Sequence, residues 1–282
     1  MRPPPPQPST APLAPGLYIV ATPIGNLRDM TLRAIDILAG ADLVLAEDTR
    51  VAAKLLSAYD LKARVERYDD HTDAWRRPQI LEKLLAGARV ALVSDAGTPL
   101  VSDPGYRLVR ACAEAGVDVF AAPGPSAALA ALAVSGLPTD RFLFAGFLPP
   151  KPGPRKAFLA ELAPIRATLI LYETGPRLSD SLADMREVLG DREAVVAREL
   201  TKLHETVIRG PLSGLIATFS EGPPRGEIVV LIAPGEAVAA TEADADAALI
   251  DALTRAGPAE AATQVAKALG LNRRNLYRRA LD

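Results

Sequence analysis

The chain has 282 residues, of which 49% are hydrophobic and 23% charged, and its formal net charge is −2. This length predicts more than one domain, and the near-neutral charge gives no overall attraction to nucleic acid. One cysteine and two histidines exclude an internal disulfide framework and leave too few ligands for a usual zinc site, so no metal is expected.

The chain begins with a proline-rich stretch that contains no apolar signal region. Such a composition cannot bury apolar surface, so residues 1–15 are predicted to form a disordered tail on a cytoplasmic protein. No apolar run reaches about 18 residues without proline, glycine or a charge, so no membrane span is expected.

Short apolar runs alternate with helical patterns from residue 16 to residue 125. This alternation predicts an N-terminal α/β domain with a parallel sheet and helices on both of its faces. Either Asp29 or Thr31 is expected to cap the first helix. Strands are predicted at 17–21, 41–46, 65–68, 90–93 and 117–121, and helices around 32–38 and 55–56 and over 78–86 and 106–115.

The stretch from Val90 to Gly105 is the centre of this domain. An apolar strand enters it, and residues 94–105 are then almost all small, acidic, glycine or proline. Ligands in open α/β sheets bind at the carboxyl ends of the strands. We therefore predict a ligand-binding loop here, because an ordinary strand-to-helix connection is only a few residues long.

Residues 126–240 predict a second α/β domain with a mixed sheet, because short turns separate several of its strands. A helix over 126–134 is expected to be capped by Ser126. A helix over 157–162 follows a proline-rich loop that carries Lys151, Arg155 and Lys156, and another helix ends at Leu189. Strands are predicted at 142–146, 168–172, 194–198, 206–210 and 227–232.

The last segment, residues 241–282, changes from an acidic, alanine-rich stretch to a basic end. Helical spacing over 259–268, a glycine at position 270 and a helical pattern over 272–281 outline a helix-turn-helix. The second pattern carries Arg273, Arg274, Arg278 and Arg279. The spacing fits a solvated pair of helices equally well, so it does not by itself establish nucleic-acid binding.

Several familiar motifs are absent from the chain. It contains no GxGxxG, GxxxxGK[ST] or Gly-x-Ser-x-Gly sequence, and neither His71 nor His204 lies in the loop at 94–105. A Ser-His-Asp arrangement is therefore not predicted. Pro/Gly-rich loops at 22–26, 94–105, 123–126 and 173–177 expose backbone groups that suit a polar ligand with an adenine and a ribose.

Six motifs occur along the chain in this order: VATPIGNLRDMT (20–31), AEDTR (46–50), SDAGTPLVSDPG (94–105), PGPS (123–126), YETGPR (172–177) and RELTK (198–202). Together they resemble the tetrapyrrole-methylase-like (class III) methyltransferases, from about residue 17 to the end of the chain. Within that family the chain is similar to enzymes that place a 2′-O-methyl group on a cytidine of 16S rRNA. Thr98 stands where the tetrapyrrole enzymes carry Asp, and the proline-rich tail is a departure from the family.

The resemblance implies two α/β domains with S-adenosylmethionine between them, a C-terminal helix-turn-helix-like domain and a homodimer. It implies 16S rRNA in the 30S subunit as the substrate. The cofactor-binding residues that it implies are Pro23, Gly97, Thr98, Leu100, Val101, Ser102, Ser126, Ala127, Tyr172, Glu173 and Pro234.

A ribose hydroxyl reacts only when a base accepts its proton. The candidates are Glu173, Asp103, Glu199 and Lys202, and Lys202 requires a pKa that burial has lowered. The sequence does not choose among them, since each also fits a structural salt bridge or a loop cap. The residues expected to bind RNA are Lys151, Arg155, Lys156, Arg273, Arg274, Arg278 and Arg279.

Two alternative functions are a tetrapyrrole C-methyltransferase and a nucleic-acid-binding module without catalysis. The ordered cleft loops argue against an inactive module, which does not need them. The basic C-terminal helices argue against a tetrapyrrole enzyme for the same reason. A methyltransferase that acts on 16S rRNA is therefore the favoured interpretation.

Overall fold

A computed structural model describes residues 7–9, 11–220, 222, 224–235 and 242–281. The chain divides into two compact units, Met1–Gly235 and Glu236–Asp282. The first unit contains two five-stranded sheets, and the described part of the second is helical. No helix in the described ranges is long and apolar enough to cross a membrane.

The first sheet is parallel throughout, with the strand order β3-β2-β4-β1-β5. Its strands are β1 (Gly16–Val20), β2 (Leu43–Ala46), β3 (Val65–Arg67), β4 (Arg89–Val93) and β5 (Val119–Ala122). The helices that connect them are α1 (Leu32–Gly40), α2 (Thr49–Ala58), α3 (Asp73–Leu85) and α4 (Tyr106–Glu114). The predicted parallel α/β architecture is confirmed.

Alternate residues of β4 enter two different cores. Ala91 and Val93 pack with α1 and α2 on one face of the sheet, whereas Val90 and Leu92 pack with α3 and α4 on the other. Both faces are therefore covered, which explains why the central strands read as continuous apolar runs.

Local polar side chains set where the helices of this half begin. Thr31 caps α1, because its hydroxyl accepts a hydrogen bond from the Ala34 N–H at 3.1 Å, so of the two predicted caps Thr31 is the correct one. The prediction that α3 begins at residue 78 is wrong, since Pro78 lies inside the helix. Asp69 and Thr72 exchange hydrogen bonds of 2.8 and 2.9 Å, and this turn directs the chain into a helix before the proline is reached.

The second sheet has the order β6-β7-β10-β8-β9, in which only β6 and β7 are parallel. The predicted mixed sheet is confirmed. Its strands are β6 (Phe142–Phe147), β7 (Thr168–Thr174), β8 (Glu193–Arg198), β9 (Thr206–Pro211) and β10 (Glu227–Ile232). Helix α5 (Ala127–Ser135) packs on one face, and α6 (Pro152–Leu162), α7 (Gly175–Leu189) and α8 (Leu212–Thr218) pack on the other.

Helix α6 begins five residues earlier than predicted, at Pro152, so the expected proline-rich loop is the first part of a helix. Proline is well suited to the first helical turn, since its φ is already fixed and its missing N–H has no partner there. Arg155 is thereby buried, with 3% of its surface exposed, and it donates to Asp184 of α7 at 2.6 Å. The prediction that Arg155 binds RNA is therefore wrong.

Part of the N-terminal tail contacts the first sheet. Leu13 packs against the core under α1, the Ser9 N–H donates to Asp36 at 2.7 Å, and the Tyr18 hydroxyl donates to the Ala14 carbonyl at 2.7 Å. Residues 1–6 and residue 10 lie outside the described residues. The expectation of disorder is thus wrong for the part of the tail next to β1.

The second unit consists of α9 (Glu242–Leu253), α10 (Pro258–Leu269) and α11 (Arg273–Arg279), as far as the structure describes it. Leu249, Val265 and Leu276 meet in its core. Gly270, with a φ of +67°, ends α10, and Asn272 caps α11 by accepting from the Arg274 N–H at 2.9 Å. This is the helix, glycine turn and arginine-bearing helix that the sequence predicts.

Candidate functional site

A cavity of about 300 Å³ lies within the first unit, where strand ends from both sheets meet. Its walls come from the loop after β4, the start of α5, the carboxyl ends of β7 and β8, and the start of β10. The predicted site residues that line it are Gly97, Thr98, Val101, Ser102, Asp103, Ser126, Ala127, Tyr172 and Glu173.

Hydrogen bonds hold the loop after β4 in one conformation. Thr22 and Gly97 exchange two backbone hydrogen bonds, of 2.8 and 3.0 Å, and Thr22 is 1% exposed. The Thr98 hydroxyl donates to the Pro125 carbonyl at 3.0 Å, which joins this loop to the start of α5. The loop is therefore a fixed wall of the cavity.

The same loop contains backbone strain. Gly97 has a φ of +82°, and the non-glycine residues Leu100 and Ser102 also adopt positive φ values, of +71° and +64°. A non-glycine residue in such a conformation costs about 1–3 kcal/mol and persists only when its surroundings hold it there. Here the positive φ values of Leu100 and Ser102 set the direction of the residue that follows each of them, Val101 and Asp103.

Three residues expected to bind the cofactor lie elsewhere. Pro23 is buried next to the lining residue Ile24, and Leu100 packs against the core of the first sheet. Pro234 follows the far end of β10, because that strand runs antiparallel to β7 and brings its first residues to the cavity. The prediction that Pro234 lines the site is wrong for this reason.

The cavity is also lined by residues that the sequence does not predict as site residues, among them Phe147, Ala197, Leu200, Gly226, Glu227, Ile228 and Val229. The glycine and glutamate that precede the apolar run of β10 were the available signal. That signal could be used only if the direction of β10 in the sheet was known.

Ser126 stands at the N-cap of α5, but its side chain makes no capping hydrogen bond, contrary to the prediction. It lines the cavity together with Ala127. The first turn of α5 therefore presents polar groups to the cavity rather than binding them internally.

Glu173 is 2% exposed, and both of its carboxylate oxygens are engaged. Oε1 accepts from the Ser181 hydroxyl and lies 3.3 Å from the Arg177 guanidinium, and Oε2 accepts from the Thr174 N–H at 2.7 Å. These partners belong to the end of β7 and to α7. Glu173 thus fixes the first turns of α7 and is a poor candidate for a base.

Lys202 forms ion pairs with Glu199 and Glu227, each at 2.9 Å. Burial lowers the pKa of Lys202, but the hydrogen bonds to Glu227 and Glu199 outweigh this and hold the pKa above its ordinary value. The hydrogen bond from Lys202 in turn lowers the pKa of Glu199. A lysine base needs the opposite shift, so these groups form a structural ion-pair network.

Asp103 has the perturbed electrostatics that a base requires. Burial and the nearby charges of Glu47 and Asp95 raise its pKa to about 6, although a hydrogen bond from Ser94 lowers it. Burial and the charge of Asp95 also raise the pKa of Glu47. Asp103 is the candidate base whose carboxyl group changes its protonation state near neutral pH, and it lines the cavity.

The predicted RNA-binding residues differ in whether their side chains already bind another residue. Lys151 is exposed at the start of α6, and Lys156 binds Glu187 at 2.7 Å. Arg279 pairs with Asp246 at 2.9 Å, and Arg273 donates to the Thr263 hydroxyl at 2.7 Å. Arg274 and Arg278 are exposed on α11.

Comparison with protein families identifies the fold. Residues 16–216 match the family of tetrapyrrole (corrin/porphyrin) methylases. The chain belongs to the tetrapyrrole methylase family. Residues 239–282 match a second family model, described as the RsmI C-terminal HTH domain.

Relatives of nearly the same length carry the name ribosomal RNA small subunit methyltransferase I. The protein of Erythrobacter litoralis is 55% identical, with 97% of each chain covered, and that of Mesorhizobium japonicum is 49% identical, with 96% of this chain and 93% of the relative covered. The protein of Escherichia coli O157:H7 is 45% identical, with 94% of each chain covered. The predicted family and methyltransferase class are confirmed.

Solved structures support the fold alone. Diphthine synthase matches 77% of this chain and 89% of its own length at 19% identity, with a TM-score of 0.58. A cobalt precorrin-4 methyltransferase matches 77% of this chain and 94% of its own length at 21% identity, with a TM-score of 0.57. The two-sheet architecture is thus shared by enzymes with different substrates.

Gly97→Val should abolish binding of S-adenosylmethionine, measured by calorimetry. The added side chain strains the loop and occupies the space in which the cofactor approaches the backbone. Gly116→Val is the matched control, since Gly116 also has a positive φ, of +71°, but a Cβ there meets nothing within 4 Å. Both variants carry similar backbone strain, so a difference in cofactor affinity between them reports the effect of the side chain in the cavity. Equal cofactor affinity in the two folded variants would contradict the assignment of this loop.

Proposed function

We propose that this protein transfers a methyl group from S-adenosylmethionine to the ribose 2′-hydroxyl of a cytidine in 16S rRNA. The observation that carries the proposal is that residues from five of the six motifs line one cavity. Relatives that are 45–55% identical over nearly the whole chain bear the name of a ribosomal RNA small subunit methyltransferase. The fold and the cavity thus support methyl transfer from S-adenosylmethionine, and the relatives support an rRNA substrate.

The cavity fits the cofactor in size and chemistry. Its volume of about 300 Å³ is that of a small-molecule site. Gly97, with a φ of +82°, lines it, and a Cβ there would meet nothing closer than 3.4 Å, so the backbone of this loop can lie close to a ligand. Asp95 and Asp103 supply negative charge that suits a sulfonium cation. When bound, S-adenosylmethionine supplies a methyl group on a sulfur that is a good leaving group.

The protein has to accept the proton of the ribose hydroxyl. Glu173 and Lys202 are both engaged in structural contacts, as described above. Asp103 combines a place on the cavity wall with a pKa raised to about 6, so it is ionised at neutral pH and binds a proton readily. We assign proton acceptance to Asp103.

The exposed face of α11 is the proposed contact with rRNA phosphates. Arg274 and Arg278 lie on it and are exposed, and the Arg278 guanidinium donates to Asn275 at 2.8 Å. Neutralising phosphates releases counterions, which gives a salt-dependent affinity. Lys151 at the start of α6 is a further candidate contact on the first unit.

The homodimer implied by the family resemblance stays a prediction. Light scattering or sedimentation of the purified protein measures it directly. The proposed chemistry does not depend on the outcome.

Asp103→Asn should reduce the methylation kcat about 100-fold or more, the usual contribution of a general base. Wild-type kcat should fall as the pH drops below about 6, because the carboxylate then becomes protonated. Asp95→Asn removes a neighbouring negative charge and should move this midpoint to lower pH. Full activity and an unchanged pH profile in Asp103→Asn would exclude the role.

Asp103→Asn should also be more stable than the wild type at pH 8, by roughly 1–2 kcal/mol, since solvent screens part of the charge of this partly exposed carboxylate. The folded pKa of about 6 exceeds the ordinary value of 3.8, so the ionised carboxylate destabilises the folded state. This difference should decrease as the pH falls through 6 and be nearly absent at about pH 4. Thermal unfolding at both pH values measures it.

Replacing Arg274 and Arg278 together by alanine should weaken 30S binding. The slope of log affinity against log salt should fall by about 0.7–0.9 for each phosphate that the variant no longer neutralises, and cofactor affinity should not change. Arg255→Ala is the control, because Arg255 carries the same charge in the same unit but is paired with Asp251. Equal salt slopes for the double variant and the control would exclude α11 as the phosphate-binding helix.

The function itself is tested with labelled S-adenosylmethionine and 30S subunits from a strain that lacks this methyltransferase. Digestion of the RNA to nucleosides should yield labelled 2′-O-methylcytidine, and subunits from the parent strain should accept little label. Label on a nucleobase, or no transfer by a protein that binds the cofactor, would contradict the proposal.

A further inference from the structure

An exposed aromatic ring stands on the wall of the cavity. Phe147, the last residue of β6, lines the cavity although 54% of its surface is exposed. Burying a phenylalanine ring is favourable by roughly 1.5–3 kcal/mol, so a ring left in solvent inside a site invites a ligand that covers it. The chemistry proposed above does not use this ring.

A bulge in β6 directs Phe147 to the cavity. Phe144 pairs with Ile170 and Gly146 with Leu171, so two residues of β6 stand opposite one residue of β7. Phe147 therefore pairs with Tyr172, and the two rings lie 5.4 Å apart. In a regular strand Phe147 would point to the opposite face from Phe144, because side chains alternate.

The bulge depends on a glycine that faces the loop after β4. Gly146 has a φ of +70°, and a Cβ on it would lie 3.3 Å from the Ser102 hydroxyl. The residues that follow in each segment, Phe147 and Asp103, both line the cavity. Bulges beside active sites commonly redirect one side chain in this way.

The charge at this wall favours one kind of occupant. Asp95 and Asp103 line the cavity with carboxylates, and neither a lysine nor an arginine is among the described residues that line it. Carboxylates repel a phosphate, but they accept hydrogen bonds from the exocyclic amino group of a cytosine. An aromatic ring also offers a face on which an extruded base can stack.

We propose that Phe147 is the stacking platform for the nucleobase of the nucleotide that is methylated. The inference rests on the proposed function, since it takes a cytidine of rRNA as the substrate. The target base would lie on the exposed face of the ring, with its amino group towards the Asp95 carboxylate. Its ribose would then lie beside Asp103.

The experiment compares Phe147→Ala, Phe147→Trp and the control Phe142→Ala. Phe142 is an exposed phenylalanine at the other end of β6, 46% exposed, and it does not line the cavity. Methylation of unmodified 30S subunits gives kcat/KM, calorimetry gives the affinity for S-adenosylmethionine, and thermal unfolding monitors the fold.

Phe147→Ala should lower kcat/KM for 30S by roughly 10- to 100-fold, as removal of one base-stacking ring does, with unchanged cofactor affinity. Phe147→Trp should restore most of the activity, and Phe142→Ala should behave as the wild type. A loss of cofactor affinity in Phe147→Ala would instead place the adenine of the cofactor on this ring and overturn the proposal. Equal kcat/KM for Phe147→Ala and Phe142→Ala would also overturn it.

A failure of the stacking platform can be distinguished from a failure of the proposed function. If the wild-type protein transfers no methyl group to 30S, the proposed function fails before the variants are compared. If the wild type yields 2′-O-methylcytidine and the alanine variant is unaffected, only the stacking platform fails.

Discussion

Two backbone hydrogen bonds between Thr22 and Gly97 fix the loop on which the cavity depends. They join the ends of β1 and β4, and they hold Gly97 at a φ that favours glycine. The Thr98 hydroxyl then donates to the carbonyl of Pro125, the residue before the N-cap of α5. The Asn26 N–H donates at 3.1 Å to the hydroxyl of Thr201, in the turn between β8 and β9 of the second sheet. Removing this anchor would release the strained residues Leu100 and Ser102 and with them the position of Asp103.

Electrostatics divides the acidic residues around the cavity into two groups. Glu199 and Glu227 share an ion pair with Lys202, so they stabilise the turn that covers the start of β10. Asp103 and Glu47 instead lie near each other and near Asp95, and burial together with these like charges raises the pKa of both. The first group contributes to stability, whereas the second keeps a proton acceptor ready at the expense of stability. This contrast is typical of catalytic sites.

The sequence predicts the parallel first sheet and the loop after β4 because both depend on local pattern, namely short apolar runs followed by glycine, proline and acidic residues. It also narrows the cap of α1 to Asp29 or Thr31, of which the structure selects Thr31, and it predicts the outline of α10 and α11. The family resemblance misplaces Pro234, and local pattern could not correct it, because strand direction in a mixed sheet depends on long-range pairing. The sequence predicts an exposed Arg155 because the partner, Asp184, is 29 residues away in the chain. Phe147 was missed because a single-residue bulge, which alternation rules cannot foresee, decides the face on which the ring lies.

The cavity between the strand ends of the two sheets is central, because every proposed step requires it to hold S-adenosylmethionine. Hydrogen exchange of the full chain, measured with and without the cofactor, tests this occupancy most directly. Cofactor binding in the cavity should increase protection of the backbone amides at 94–105, 126–130 and 226–229, with no change in α9, α10 and α11. Cofactor binding with unchanged exchange in those three segments, and protection elsewhere, would contradict this placement.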